Sequence, residues 1–189
     1  MTTDLKPGPR ERLLEAAAAL TYREGVNIGI DALCKAAGVS KRSMYQLFAS
    51  KDELLAASLE RRAASYVAAL LPAADADLAP RERITHVFDQ VAMQSADPAF
   101  RGCPYLSAEI ELKDSDHPAS RVARQVKAAL TAYFRAEAAQ GGASDPDLLA
   151  RQLTLVFDGA SARAGIGAEH LDGLLAPTVA VLLDAADLR

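Results

Sequence analysis

The sequence is poor in cysteine and lacks any apolar run long enough to cross a membrane. Its two cysteines, Cys34 and Cys103, are too few and too far apart to indicate a disulfide scaffold. The longest apolar candidate, residues 174–183, is interrupted by Pro177 and is shorter than the ~20 residues that a membrane helix needs. The first residues place no basic region before an apolar core, so they do not indicate a secretory signal. We therefore expect a cytoplasmic protein without a membrane partner.

The motifs that mark common enzyme classes are also missing. The sequence has no glycine-rich phosphate-binding loop and no nucleophile elbow around a serine. Glu109 and Glu111 stand two residues apart, so on a helix their carboxylates point in different directions. His86 and His117 lack the spacing of metal ligands. We expect no catalysis, no cofactor and no metal, and a helical enzyme remains the alternative.

The charge is distributed unevenly along the chain. The net charge of −4 would by itself disfavour a nucleic acid as partner. Residues 1–62, however, carry ten basic and eight acidic side chains, a net charge of +2, against −6 for the remainder. The N-terminal part is therefore the one suited to a polyanion, provided that its charges lie on one surface.

Alternating runs of β-branched residues are absent, while Ala, Leu, Arg and Glu are abundant. These residues favour helix, so we predict an all-α fold of about nine helices. Gly25, Gly38, Pro72 and the pair Gly141–Gly142 are among the residues expected to end helices. The helices are predicted at about residues 10–24, 30–37, 41–48, 50–71, 81–96, 105–112, 118–139, 146–164 and 171–187.

The segment Gly38-Val39-Ser40 has the composition of the turn in a helix-turn-helix. Gly38 can take the left-handed conformation that ends one helix, and Val39 can fill the small core. Ser40 can cap the next helix and leave its first amides directed outward, where they favour an anion such as a backbone phosphate.

The helix after this turn has two distinct sides at ~100° per residue. Met44 and Phe48 fall on the side expected to pack against Leu33, Val39 and Leu20. Arg42 and Gln46 fall on the opposite side, and these side chains can bind guanine and adenine edges respectively. The residues better suited to phosphate are Lys41, Ser43, Tyr45 and Lys51.

Lys41 and Arg42 alone would also fit an ordinary solvated helix face. The complete arrangement is more specific, because the Gly-Val-Ser turn is followed by aromatic residues and by the capping box from Ser50 to Glu53. The stretch from Ala36 to Leu55, AAGVSKRSMYQLFASKDELL, resembles the signature of TetR-type transcriptional regulators. The resemblance extends over about residues 10–56 and includes Leu13, Ala16, Gly25, Ile30 and Leu33.

The resemblance implies an all-helical homodimer with an N-terminal three-helix DNA-binding head and a C-terminal helical body that binds a ligand and dimerises. We place the helix-turn-helix DNA-binding domain at residues 1–50 and the effector-binding and dimerisation domain at 51–189. Gly29 stands where many relatives have Thr or Ser, so a cap or phosphate contact is expected to be missing there. The family's DNA contacts carry over onto Lys41, Arg42, Ser43, Tyr45, Gln46 and Lys51.

The body contains scattered large side chains, some of which can line an apolar effector pocket, although core packing is the better explanation for any single one of them. Cys103 has a sharper alternative role as a sensor of oxidants or electrophiles, because a thiol near a helix start can have a lowered pKa. An inert buried cysteine is the simpler interpretation. The pocket candidates are Tyr66, His86, Phe88, Met93, Phe100, Cys103, Tyr105, Tyr133, Phe134 and Phe157.

The last two predicted helices carry apolar stripes at three- and four-residue spacing. Two such helices from each protomer would form a four-helix dimer interface, for which we select Leu149, Leu153, Val156, Leu175, Val179 and Leu182. The sequence thus predicts a dimeric repressor of a near-palindromic, double-stranded DNA operator, released by a small-molecule effector. A redox-sensing regulator and a helical adaptor without DNA binding are the alternatives.

Overall fold

The computed structural model describes residues 7–168 and 170–188. Over these residues the chain forms nine α-helices and no strand, which confirms the predicted all-α fold. The predicted N-terminal arm, residues 1–9, lies mostly outside the described residues. The helices are α1 Pro9–Glu24, α2 Ile30–Ala37, α3 Lys41–Leu47, α4 Lys51–Ala68, α5 Pro80–Ser95, α6 Pro104–Leu112, α7 Pro118–Gln140, α8 Pro146–Gly165 and α9 Leu175–Ala185.

Proline begins several of these helices, because its fixed φ suits the first helical position and its missing N–H has no partner there in any case. It stands first in α1, α5, α6, α7 and α8. In α8 a side-chain cap is added, since Asp145 Oδ1 accepts from the Leu148 amide at 2.9 Å. Local sequence chemistry therefore sets most of the helix starts.

Two predicted helices are longer than the observed ones. α4 ends at Ala68 and not at Leu71, because the chain tightens there into a turn in which the Leu70 amide donates to the Val67 carbonyl at 3.0 Å. α9 begins at Leu175 and not at residue 171, because Gly173 has a φ of +70° that interrupts the helix. The preceding residues form a separate turn, with the Leu174 amide donating to the Leu171 carbonyl at 3.1 Å.

The chain divides into two compact units. Among the described residues, the first unit comprises residues 7–62 and 108–123, and the second comprises 63–107 and 124–188 with the gap at 169. The first unit thus contains the described part of the predicted helix-turn-helix domain, the start of α4 and the segment where α6 ends and α7 begins.

The first unit has two hydrophobic clusters. The larger one joins α1, α2, α3 and the start of α4 around residues such as Leu13, Leu33 and Met44. The smaller one consists of Val26, Leu55, Ala108 and Ala119, with Ala56, Leu59 and Leu112 packed against it. The segment from 108 to 123 therefore contributes directly to the core of the first unit.

In the second unit, α5, α8 and α9 pack against one another. Phe88 of α5 stacks on Phe134 of α7 with 5.6 Å between ring centroids. Beside this stack, Arg83 Nε lies 2.9 Å from Glu137 Oε1 in a mostly buried ion pair. Charge pairing inside the unit offsets part of the cost of taking both groups out of water.

No helix within the described residues is both long and apolar enough to cross a membrane.

Candidate nucleic-acid interface

The turn between α2 and α3 has the geometry that its composition predicts. Gly38 lies in the left-handed region, with φ 61° and ψ 40°. Its amide donates to the Lys35 carbonyl at 3.2 Å, and the Val39 amide donates to the Cys34 carbonyl at 3.0 Å. This pair of bonds satisfies the carbonyls of Cys34 and Lys35, as in a Schellman motif, and leaves the carbonyl of Ala37 open. Ser40 then caps α3, its Oγ accepting from the Ser43 amide at 3.0 Å.

Arg12 of α1 fixes the same turn from the side, a role that the sequence analysis missed. Its Nε donates to the Ala37 carbonyl at 2.9 Å, and its Nη2 donates to the Gly38 carbonyl at 3.4 Å. A guanidinium can serve several carbonyls at once because its donors form a planar fork. The open carbonyls at the end of α2 signal the need for a donor, but no spacing rule identifies Arg12 as its source.

α3 turns its apolar side into the first unit, as predicted. Met44 and Phe48 are buried and lie in one cluster with Leu33, against which Val39 and Leu20 pack. On the other side Arg42 and Gln46 are exposed and make no hydrogen bond or ion pair within residues 7–168 and 170–188. Their polar ends are therefore available to an external partner, and Arg and Gln are the side chains that make bidentate contacts with base edges.

The flanking residues of α3 differ in their availability. Tyr45 is 55% exposed, whereas Ser43 is half-buried and shares a 2.9 Å hydroxyl–hydroxyl hydrogen bond with Ser40. Lys41 Nζ lies 2.8 Å from Asp31 Oδ1, and both side chains are exposed. The hydrogen bond to Asp31 raises the pKa of the Lys41 ammonium. Lys41 is thus charged but already paired with a carboxylate on α2.

Lys51 is directed toward its own unit. Its ammonium donates to the carbonyls of Val26 at 3.0 Å and Ile28 at 2.9 Å, in the loop between α1 and α2. An ammonium has three donors, so one remains for a phosphate. The predicted phosphate contact of Lys51 therefore stays a prediction, and the structure adds an intramolecular role.

The hydrogen bonds at the starts of α4 and α2 show how each of these helices is capped. The Ser50 Oγ accepts from the Glu53 amide at 3.1 Å, as predicted, but the Glu53 carboxylate accepts from the Ala49 amide at 2.6 Å and not from Ser50. At α2 the cap residue is Gly29, which provides no side-chain hydrogen bond. The expected loss of a cap at that position is confirmed.

A small cavity lies within the second unit and is lined by three of the predicted pocket residues. Its volume is about 10 Å³, which is room for about one water molecule. A ligand larger than water would require the surrounding side chains to move. The lining residues are Tyr66, Val67, Leu70, Leu71, Cys103, Val126, Lys127, Leu130 and Phe157.

Polar groups meet at this otherwise apolar cavity. Burial raises the pKa of the Tyr66 hydroxyl, and a hydrogen bond with Cys103 adds to the shift. Lys127 forms an ion pair with Asp158, and its Nζ lies 4.7 Å from the centroid of the Phe157 ring. The sequence analysis missed Lys127 and Asp158, because their contact spans 31 residues and neither carries a motif.

The other predicted pocket residues do not line this cavity. Tyr105 is buried beside Tyr66, with ring centroids 5.0 Å apart, whereas Met93 is on the surface. Phe88 and Phe134 form the separate stack in the core, and the Tyr133 hydroxyl donates to the Arg83 carbonyl at 3.3 Å. Burial raises the pKa of Tyr133 to about 12. The remaining two candidates, both half-buried, are His86 and Phe100.

The residues selected for the dimer interface mostly face inward. Four of the six are buried within their own unit, and two are half-buried. The stripe found in the sequence is therefore the one that packs α8 and α9 into the second unit. The four buried residues are Leu149, Leu153, Leu175 and Val179, and the half-buried ones are Val156 and Leu182.

A different set of apolar residues is exposed on α8 and beside or on α9. Leu148 and Leu155 are seven residues apart, and so are Leu174 and Val181, so each pair lies along one helix side. Leu155 is 74% exposed and Val181 is 66% exposed. Within the described residues no three His, Cys, Asp or Glu side chains form a group that could hold a metal ion.

The chain is similar to one known protein family and to several solved structures. Residues 13–58 match the model of the bacterial regulatory proteins of the tetR family. A crystal structure assigned as a TetR transcriptional regulator of Streptomyces avermitilis is 70% identical, with a TM-score of 0.95, and the match covers 97% of this chain and 100% of that one. No curated protein matches the chain.

More distant structures have the same architecture. A TetR-family transcriptional regulator of Streptomyces coelicolor is 27% identical, with a TM-score of 0.83, over 94% of this chain and 95% of that one. The reduced form of E. coli NemR is 24% identical, with a TM-score of 0.78, over 93% and 95% of the two chains. With its capped α3, its Gly38 turn and a relative of 70% identity along nearly its whole length, the chain belongs to the TetR family of DNA-binding transcriptional regulators.

Proposed function

We propose that the protein is a homodimeric repressor that binds a near-palindromic operator through α3 of each protomer and releases it when a small molecule binds the second unit. The observation that carries this proposal is the outer side of α3, where Arg42 and Gln46 are exposed without partners among the described residues. Met44 and Phe48 hold that side outward by burying the opposite one. Repression is the commoner mode of the family that the chain resembles.

In this proposal some residues on and beside α3 contact base edges and others contact phosphates. Arg42 and Gln46 contact base edges in the major groove and give sequence preference. Lys41, Ser43 and Tyr45, with the remaining donor of Lys51, contact phosphates and set the position of the helix. Ser40 prepares the site, because its cap on the Ser43 amide fixes the first turn of α3. In this proposal residues 1–50, together with Lys51 at the domain boundary, carry DNA recognition, and the rest of residues 51–189 carries effector binding and dimerisation.

The dimer surface that we propose is the exposed apolar side of α8 and α9. Exposed leucine and valine side chains in two aligned pairs are costly in water, and a two-fold related copy can cover them. A helix pair from each protomer would form a four-helix interface. The residues at its centre are Leu148, Leu155, Leu174 and Val181, in place of the buried ones selected from the sequence.

A dimer explains how one short helix can give useful affinity. Each α3 contacts few bases, so tight binding needs two copies on one duplex. Two-fold symmetry in the protein then requires near-palindromic symmetry in the operator, with half-sites about one helical turn apart or a multiple of it.

The effector site that we propose is the cavity beside Cys103, Tyr66 and Lys127. Its surface is apolar, and the Lys127 ammonium and the Tyr66 hydroxyl of its lining residues would have to turn toward a ligand to supply the few polar anchors that ligand sites use. Because the cavity is nearly closed, a ligand must select a more open conformation of the second unit. Linkage then requires operator DNA to weaken effector binding by the same factor by which the effector weakens DNA binding.

Redox sensing through Cys103 has less support. The thiol side chain is only 3% exposed, whereas cysteines that sense oxidants are accessible and have thiolate character. An adaptor role without DNA binding has no supporting observation, since the helix-turn-helix is intact and the family binds DNA.

The proposal is tested by selecting genomic fragments that bind the purified protein and footprinting the best of them. We expect a near-palindromic protected site, and binding that falls steeply with added salt because several phosphates are contacted. A protected site without two-fold symmetry would contradict the dimeric operator complex. Absence of any enriched fragment at low salt would contradict the repressor function itself.

A further inference from the structure

The loop that joins α1 to α2, residues 25–29, is held by two side chains of opposite charge. Glu111 Oε2, at the end of α6, accepts from the Val26 amide at 2.8 Å. Lys51 Nζ, at the start of α4, donates to the carbonyl of the same residue, Val26, at 3.0 Å and to that of Ile28 at 2.9 Å. Both backbone groups of Val26 are therefore bound by charged side chains from distant parts of the sequence. We call this arrangement the loop clamp.

Gly25 shows how closely Glu111 approaches this backbone. A Cβ atom on Gly25 would lie 2.4 Å from Glu111 Oε2, and the residue has a φ of +90° that side chains rarely adopt. The carboxylate thus occupies the space where any other residue would place its side chain. The same oxygen accepts from the neighbouring Val26 amide, so the loop and the carboxylate fit one another closely.

The loop connects the two hydrophobic clusters of the first unit. Val26 is buried in the smaller cluster with Leu55, Ala108 and Ala119. Ile28, two residues on, is buried in the larger cluster that contains Met44 and supports α3. A shift of the loop would therefore shift the residues against which α2 and α3 pack.

The start of α2 depends on this loop more than is usual for a helix. Gly29 caps α2 without a side-chain hydrogen bond, so no local cap fixes where the helix begins. The position of α2 is then set by packing and by the loop that precedes it. Only the turn at residues 38–40 separates α2 from α3, so a displacement of α2 would also displace the side of α3 that we propose to contact DNA.

We propose that Glu111 is a positioning residue for DNA recognition, which acts with Lys51 through the loop clamp to place α2 and α3. Neither residue needs to touch DNA for this role. The inference rests on the DNA-binding function proposed above, because operator affinity is its main readout. It also means that part of the affinity loss expected on removing Lys51 comes from the loop clamp and not from a phosphate contact.

The sign of the effect separates the clamp from simple electrostatics. Removing an acidic side chain from a DNA-binding unit should strengthen or leave unchanged its binding to a polyanion. The clamp predicts the reverse for Glu111→Ala, because an unpaired Val26 amide and a loosened loop would weaken the placement of α3. Glu60 is a matched control, since it is an exposed glutamate of α4 in the same unit without a contact among the described residues.

Two conservative variants of Glu111 distinguish the effect of its side-chain length from the effect of its charge. Glu111→Gln keeps an acceptor oxygen at the same distance and loses the charge, so we expect operator affinity within about twofold of the wild type. Glu111→Asp keeps the charge but is one methylene shorter, so we expect it to lose the Val26 hydrogen bond and bind about ten- to hundredfold more weakly, the range for losing one charge-assisted hydrogen bond. Glu60→Gln and Glu60→Asp should both bind as the wild type does.

Lys51 is tested through the salt dependence of binding. A lysine that contacts a phosphate contributes about one unit to the slope of log K against log salt, and its loss reduces that slope. If Lys51 acts through the clamp, Lys51→Ala lowers affinity about ten- to hundredfold, the range for losing one charge-assisted hydrogen bond, and leaves the slope unchanged. A slope reduced by about one, with little other change, would assign Lys51 to the phosphate and remove it from the clamp.

The closing experiment measures fluorescence anisotropy of the full-length variants on a duplex carrying the footprinted operator, together with amide hydrogen exchange at Val26. We expect slow exchange at Val26 in the wild type and Glu111→Gln and faster exchange in Glu111→Asp, in step with the affinities. The positioning role would be overturned if Glu111→Asp bound the operator as tightly as the wild type while Glu111→Gln bound it weakly. It would also be overturned if Glu111→Asp left the exchange rate of the Val26 amide unchanged. Failure of the wild type to bind any duplex would contradict the proposed function alone, since the exchange measurement tests the clamp without DNA.

Discussion

α3 and α8 each bury one side in their own unit and expose the other, yet their exposed sides differ in chemistry. α3 presents Arg42, Tyr45 and Gln46 outward, whereas α8 presents Leu148 and Leu155. Hydrogen-bonding side chains suit base edges and phosphates, while apolar side chains suit a protein surface that excludes water. The two helices therefore fit the two partners proposed above, a nucleic acid for α3 and a second copy of the chain for α8.

The largest effect is expected from a charge on the apolar side of α8. Leu155→Glu would bury a carboxylate without a partner in the proposed dimer interface, so the protein should become monomeric. Operator affinity should then fall by about 10²- to 10⁴-fold, because the two α3 helices no longer bind as one linked pair. Sedimentation velocity measures the first effect, and anisotropy on the operator duplex measures the second.

Met93 provides the control for this variant. It is a large apolar residue of the same unit, 64% exposed on α5 and away from α8 and α9 in the sequence. Met93→Glu should remain dimeric and bind the operator normally. If Leu155→Glu stayed dimeric, or if Met93→Glu became monomeric, the dimer interface would have to lie on another surface. The contrast drawn between the exposed sides of α3 and α8 would then fail.

The buried side of α3 is expected to produce the next largest effect. Met44 is fully buried in the larger cluster of the first unit. Met44→Ala should lower the free energy of unfolding by about 2–5 kcal/mol, from lost apolar contact and the cavity left behind. Met93→Ala changes the same side chain at an exposed position and should stay within about 0.5 kcal/mol of the wild type. Urea unfolding followed by circular dichroism compares them, and equal effects would contradict the assigned orientation of α3.

The sequence was most informative where one side of a helix is apolar and the other is polar. In α3, Met44 and Phe48 fall on one side by spacing alone, and the Gly38 turn and Ser40 cap follow from local chemistry. In α8 both sides carry leucines, so spacing identified the buried stripe at Leu149 and Leu153 and missed the exposed one. Periodicity locates apolar stripes, but it does not tell a core from an interface.

The contacts that place the helix-turn-helix were not predictable by such local rules. Glu111 meets the Val26 amide across 85 residues, and Lys51 meets the Val26 carbonyl across 25. Arg12 meets the Ala37 carbonyl across 25 residues. Each contact uses a side chain that looks like an ordinary surface charge in the sequence and a backbone group that carries no sequence signal. Such pairs become visible only when the chain is folded.

Within the exposed side of α3, Arg42 should matter most for sequence preference. Arg42→Ala should reduce discrimination at one base pair by about 1–3 kcal/mol, since a bidentate contact to a base edge is lost. Affinity for the operator and for a single-base variant of it, measured side by side, gives this difference. Lys41→Ala is the comparison, because a phosphate contact should weaken both duplexes equally. If both variants weaken the two duplexes equally, Arg42 does not read bases.

A smaller effect is expected from the partner of Lys41. Asp31 lies 2.8 Å from the Lys41 ammonium and holds it in an exposed ion pair, beside the side of α3 that we propose to contact DNA. Asp31→Asn would release Lys41 for a phosphate, so operator binding should tighten modestly and the salt slope should steepen by up to about one unit. Unchanged affinity and slope in Asp31→Asn would show that Lys41 does not contact DNA.

Cys103 should produce the smallest effect, and it tests whether the second unit senses redox chemistry or a bound molecule. Because the thiol is buried beside Tyr66, we expect mild peroxide to leave operator binding unchanged in both the wild type and Cys103→Ser. Cys34→Ser is the matched control, since Cys34 is buried in the first unit. An oxidant-dependent loss of binding in the wild type that persists in Cys34→Ser and disappears in Cys103→Ser would establish the redox alternative. The cavity would then serve a reactive thiol, and the proposed division of the chain into a DNA-contacting unit and a sensing unit would be kept.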